Sequence, residues 1–266
     1  MERLIIVSVF TGMIHMIDTL SYSVRLAGIK TKRLAMALSL FNIIVLISRT
    51  ANMIQAPLLG SMVDKAINGG NSTLLLSDFR LIILSATAGS ILGALLIPTF
   101  IEIFSKGILS LEKAGSMPQL IELMLVQRPI RSIKRSVKKP RFSLLKGLLP
   151  NKIPLTFLIL NVIITAISTI GVLSAIYAGA QVPEYRMTAS QLSGIINGIA
   201  TILLAIIVDP QAAIITDQTL QGTRDKGEAN TMVVFLVGGK ILGTILSQLI
   251  FLKAVQVVVI ITKLIV

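Results

Sequence analysis

The sequence predicts an all-α fold, a polytopic bundle of about six transmembrane helices, on three observations. Apolar residues make up 54% of the 266 positions, mean hydropathy is +0.87 and only 14% of residues are charged, with no Trp. A water-soluble domain of this size needs a far more polar surface. The apolar residues come in runs of about 20, the length of helix that crosses a hydrocarbon core roughly 30 Å thick. Positive charge segregates to alternate connections between those runs.

The first span covers about residues 4–24. Its surroundings, MERLIIVSVFTGMIHMIDTLSYSVRLAG, lack a strongly basic leading segment and a small-residue cleavage site, and His15 and Asp18 lie inside the apolar stretch. This reads as a retained span and not a signal peptide. The second span, about residues 34–60, contains LFNIIVLISRTANMIQAPLLG (40–60), with Arg49 close to its middle. Asn42, seven residues back, and Asn52, three on, lie on the same side of the helix, and Gln55 is near. An arginine at a helix centre costs roughly 2.5–3.5 kcal/mol on insertion scales, so it faces protein, a partner or water.

The third span, about 81–104, places Ser85, Gly89 and Gly93 four apart on one face, where small residues let another helix approach, and carries Glu102 near its end. Pro57 and Pro98 read as kinks or interface residues. After the third span comes a basic segment containing RPIRSIKRSVKKPRF, preceded by MPQLIELMLVQ (117–127), a candidate short amphipathic surface helix. The fourth span runs over about 153–178 and the fifth over about 189–215. Asp209-Pro210 in the fifth marks either a helix break or the start of the exit from the membrane. The sixth, about 231–251, carries Lys240 halfway along, with Thr244 and Gln248 on its face. The apolar tail beyond 251 extends this helix or lies in the interface.

Arg25, Lys30, Lys32 and Arg33 follow span one, and 11 Lys and Arg residues lie from Lys106 to Lys152; the opposite connections hold only Lys65, Arg80 and Arg186. The basic side is expected in the cytoplasm, with both termini outside. The net charge of +13 thus reads as an orientation signal and a contact with anionic membrane lipids. Nucleic-acid binding is not expected, because no interleaved aromatics or recognisable module accompany the charge.

Sliding the chain by about 153 residues superposes Arg33 on Arg186, Pro57 on Pro210 and Asp64 on Asp217, and brings Ser85, Gly89 and Gly93 near Gly239, Gly243 and Ser247. Two readings stand: coincidence within the small alphabet of membrane helices, or an inverted 3+3 repeat of the kind found in secondary transporters. On the second reading residues 1–104 and 153–266 are two three-span halves and 105–152 is a basic cytoplasmic loop.

Five charges of both signs project from five spans. Asp18, Glu102 and Asp209 lie towards the cytoplasmic half and are candidate partners of Arg49, as is a substrate; Lys240 is the other deep cation. The expected arrangement is a polar cavity open to the cytoplasm with cations at its floor. Arg49 is then either half of a structural ion pair or a substrate ligand. His15, one turn before Asp18, is either an interhelical hydrogen-bond donor or part of a proton-coupling site. The sequence has no Walker A loop, H-E-x-x-H, nucleophile elbow or paired aspartates for a metal, and no Cys, so no enzymatic activity, cofactor or metal site is expected.

The stretch HMIDTLSYSVRLAGIKTKRLAMALSLFNIIVLISRTANMIQAPLLG (15–60) closely resembles the N-terminal region of the Amj family of bacterial membrane proteins, named as the alternate to the MurJ flippase. The match is dense over residues 10–65; beyond them it rests on length, the six spans and the basic central loop. The resemblance implies a lipid II flippase of the bacterial cytoplasmic membrane, carrying the undecaprenyl-pyrophosphate-linked disaccharide pentapeptide to the outer leaflet. It carries no site motif with it. The residues themselves suggest Arg25 and Arg33 as collectors of the headgroup at the cytoplasmic entrance. Arg49, with Asn42, Asn52 and Lys240, would then bind pyrophosphate at mid-depth. An ion-coupled transporter of a small solute, using His15 and Asp18, and a non-transporting scaffold for cell-wall enzymes are the alternatives.

Overall fold

A computed structural model describes residues 2–69, 74–120, 122, 136–138 and 152–266. Among the described residues all regular structure is helical. The helices are α1 (Glu2–Ser21), α2 (Ser23–Thr31), α3 (Leu34–Asn68), α4 (Leu75–Ala114), α5 (Leu155–Gln181), α6 (Arg186–Leu203), α7 (Asp209–Gln221) and α8 (Lys226–Ile265). They make six spans long and apolar enough to cross a membrane, α1–α2 and α6–α7 each forming one. Successive spans alternate in direction, so the turns before α3 and α8 share one end, here the basic end, with the α4–α5 connection. The turns before α4 and α6 share the far end.

Several helices overrun the apolar windows read from sequence. With 40 residues each, α4 and α8 reach about 60 Å at 1.5 Å per residue, roughly twice a hydrocarbon core. Of the two readings of the tail, extension of the last helix is the one seen, since α8 runs to Ile265. Of the expected surface helix at 117–127, residues 117–120 and 122 are helical; the rest of it and most of the basic segment lie outside the described residues.

Two interruptions shape the spans. The first falls at Tyr22, where the Ser21 and Ser23 hydroxyls donate back to the carbonyls of Asp18 and Leu20, each at 2.6 Å. Serine hydroxyls that compete for backbone carbonyls loosen and bend a helix. The second is a π-helical turn, Leu204–Val208, between α6 and α7. Pro210 follows it; proline lacks an N–H and its ring crowds the carbonyl four residues back, and the wider turn absorbs both effects. The helix therefore does not break at Asp209-Pro210, but continues to Gln221.

The closest packing is between α1 and α4 and between α5 and α8. A Cβ placed on Gly89 would lie 2.0 Å from the Gly12 carbonyl oxygen, and one on Gly243 would lie 2.6 Å from the Thr165 Cβ. These are the small-residue positions singled out in spans three and six, and backbone contact at them is what brings each pair of helices together. Phe79, Tyr177 and Phe251 then join α4, α5 and α8 towards the far end, with the rings of Phe79 and Tyr177 edge to face at 5.3 Å. The second span and the fifth are peripheral, each with 17% of its apolar window buried against 50% for α5. They scarcely touch each other.

Gly89→Val should drive α1 from α4 and cost about 1–3 kcal/mol, the usual penalty of overpacking. A lower melting temperature in detergent for this variant is expected, but none for Gly60→Val, whose Cβ would meet nothing within 4 Å.

Candidate functional site

Between the two peripheral spans and the α1, α5 and α8 walls lies a cavity of about 620 Å³. Its deepest charged feature joins span one to span six: Lys240 Nζ donates to Asp18 Oδ2 at 2.9 Å, with both side chains mostly buried. Asp18 reaches Lys240 from the last turn of α1, just before the serine-flanked break. His15 lies one turn earlier on the same wall, and its Nδ1 is buried without a hydrogen-bond partner. Gln55 Nε2 on α3 donates to the Thr11 hydroxyl, fastening α3 to α1 along the cavity.

Towards the basic end, Arg25 from α2 donates to Asp209 Oδ1 at 2.8 Å, and its guanidinium lies 4.9 Å from the centre of the Phe41 ring. Only 3% of the Arg25 side chain is exposed, so a carboxylate and an aromatic face together offset its desolvation. Asp209 lines the cavity, whereas Arg25 lies behind it. Glu102 is at the basic end, held by Lys30 and Lys138, and Arg33 pairs with Glu112 of α4.

The three carboxylates considered for Arg49 are therefore all engaged by other cations. Arg49 projects into the cavity and, among the described residues, its guanidinium makes no ion pair or hydrogen bond. Asp209 feels its charge only at longer range. With Lys240–Asp18 and Arg25–Asp209 each neutral as a pair, Arg49 is the one charged group of the lining without an ion-pair partner among the described residues.

Asn52 shares the cavity with Arg49, but Asn42 does not: it is exposed on α3, outside the lining. At the level of Asn42 the wall is closed by Phe41 packed on Arg25. Ser193, Asn197 and Thr201, spaced by four on α6, form the opposite polar wall, and Asn197 Oδ1 is buried without a partner. Their spacing alone puts them on one face of the fifth span, which is the signal that identifies them in the sequence.

The cavity also opens sideways. Since α3 and α6 scarcely touch, a slot separates them. On the α3 lip, Met53 lines the cavity yet is 76% exposed; on the α6 lip, a Cβ added to Gly194 or Gly198 would meet nothing within 4 Å. The slot is bridged at the far end by Arg186–Asp64 at 3.2 Å; towards the basic end Arg25–Asp209 ties α2 to α7.

A six-span bundle with a cationic, polar interior reached from the side has the build of a membrane transporter for an amphipathic anion. The family described as Amj, Alternate to MurJ, matches residues 10–262, and the chain belongs to it. It is 39% identical over 256 residues, 96% of this chain and 94% of the relative, to a protein named Lipid II flippase Amj from Bacillus subtilis (strain 168). No solved structure matches it.

Removing one member of the Lys240–Asp18 pair leaves the other as an unpaired charge in the bundle, at a cost of about 3 kcal/mol. Lys240→Met and Asp18→Asn should each lower the melting temperature in detergent, and the double variant should be more stable than either single one.

Proposed function

We propose that this protein is a lipid II flippase, carrying the precursor across the bacterial cytoplasmic membrane for peptidoglycan synthesis. The basic end faces the cytoplasm and both termini lie outside, in keeping with the excess of Lys and Arg on that side. The observation that carries the reading is the uncompensated Arg49 in a cavity with a lateral slot. A lipid-linked pyrophosphate has a polar head that needs shelter and a chain that need never leave lipid. The head enters the cavity, the chain trails through the slot between α3 and α6, and Arg49 supplies the cation.

Arginine suits the task because its planar set of donors matches phosphate oxygens and its charge is permanent. Asn52 adds a polar group beside it, and Ser193, Asn197 and Thr201 face it with hydrogen-bonding capacity for sugar hydroxyls and amides. Lys240 contributes only if it loosens from Asp18. Arg25 acts by holding Asp209 and not by touching the headgroup. The ion-coupled alternative is disfavoured by that same Lys240–Asp18 pair, because a proton site at Asp18 must give up a partner 2.9 Å away.

Transbilayer movement of labelled lipid II in proteoliposomes tests this directly. The native protein should move it; Arg49→Ala should slow movement by about tenfold or more with unchanged protein abundance, as for loss of a charge-assisted contact. Arg49→Lys should retain part of the rate. Full activity in Arg49→Ala would remove this residue from the mechanism, and no movement by folded native protein would defeat the flippase reading.

A further inference from the structure

The ion pair that bridges the far end of the slot, Arg186–Asp64, joins the start of the fifth span to the end of the second. At the displacement of about 153 residues, Arg186 falls on Arg33 and Asp64 on Asp217, which are the start of the second span and the end of the fifth. The same two helices therefore carry a second, unformed version of the pair at the basic end. In this structure Arg33 is held instead by Glu112, and Asp217 accepts from Gln221 Nε2 at 2.7 Å, so each is parked within its own half.

Independent features support the register. The caps after α3 and α7 are Gly69 and Gly222, at the same displacement. Gly12, which meets Gly89, corresponds to Thr165, which meets Gly243. The tightest helix pairs, α1 with α4 and α5 with α8, correspond as well. The parking contact has its counterpart too, since Gln221 falls on Asn68, four residues after Asp64 as Gln221 is after Asp217. Arg25 and Asp209 fall on Ala178 and Ala56, so that deeper pair has no counterpart.

In transporters built from inverted repeats, alternating access moves one half against the other about a fixed site, and exchanging the conformations of the halves converts one facing into its opposite. We infer that Arg33 and Asp217 form the closing pair of the basic end in the opposite-facing state, when Arg186–Asp64 has parted and Asp64 has turned to Asn68. Arg33 is on this view a positioning residue of the transport cycle and not a headgroup collector. The inference rests on the transport reading, although its first test does not require lipid II.

The chain contains no Cys, so introduced pairs report alone. Full-length Asp64→Cys/Arg186→Cys and Arg33→Cys/Asp217→Cys proteins in proteoliposomes are treated with a short thiol-specific bifunctional reagent. Both pairs should cross-link, and in the four-cysteine protein cross-linking one pair should suppress the other. Cross-linking of the Asp64/Arg186 pair alone, or of both pairs in one molecule without mutual suppression, overturns the proposal.

The second test is kinetic. Asp217→Asn and Arg33→Gln should each slow lipid II movement by about fivefold, and the double variant should be no slower than the slower single one, the signature of a shared contact. Multiplying effects, or singles as fast as native, would overturn it. If the cross-links alternate but lipid II does not move, the closing pair stands and the substrate reading fails.

Discussion

An intramembrane charge must be paired, hydrated or bound to something, and the allotment of partners governs the rest of this structure. Asp18 goes to Lys240, Asp209 to Arg25 and Glu102 to two lysines at the basic end. Arg49 is left over. The geometry of the leftover charge matters more than its cost: it lies on a polar cavity within the bundle and beside the gap between the two least buried spans. A structural arginine would sit as Arg25 does, enclosed and against a carboxylate. Arg49 faces a cavity instead, which is where an anion arriving from outside the protein would find it.

The helix interruptions make that allotment possible. The serines around Tyr22 loosen span one just after Asp18, and α2 then carries Arg25 towards Asp209. The π turn ahead of Asp209 is the counterpart in the fifth span, and beyond it Asp209 lines the same cavity as Ser193, Asn197 and Thr201. A strictly regular helix has one face per span. The interruptions let spans one and five present an ion pair at one depth and a polar cavity wall at another.

Much of the architecture was legible because it depends on local pattern. Apolar run lengths give the six spans, and spacings of four mark the small-residue contacts at Gly89 and Gly243. Arg49 stood out because its cost at mid-depth is intrinsic to the residue. What sequence could not supply was pairing between distant positions. Asp18 and Lys240 are 222 residues apart, and hydropathy does not show which of three carboxylates reaches which cation. Asn42 was misleading for a related reason: a spacing of seven places it roughly on the Arg49 side, but not which of two adjacent directions faces the cavity. Phe41, one residue away, lines the cavity at that depth, while Asn42 is turned to the exposed side of α3. The helical continuity of span five was hidden as well, since Pro210 reads as a helix break until the π turn is seen to absorb it.

The slot imposes a condition on any cargo. Headgroup binding must be strong enough to draw pyrophosphate away from water but weak enough to release it on the other side, and a single unpaired arginine meets that better than a cluster would. Two or three converging cations would hold the diphosphate and stall the cycle. Here the other deep cations already have carboxylates, and Asp209 lies near enough to attract Arg49 at longer range without capturing it. If the halves rock as proposed, a small shift of α3 relative to α7 would bring that carboxylate closer to Arg49 and displace a bound phosphate. The carboxylates that leave Arg49 unpaired in one arrangement are thus suited to help it let go in another, so binding and release can be set by the same few charges.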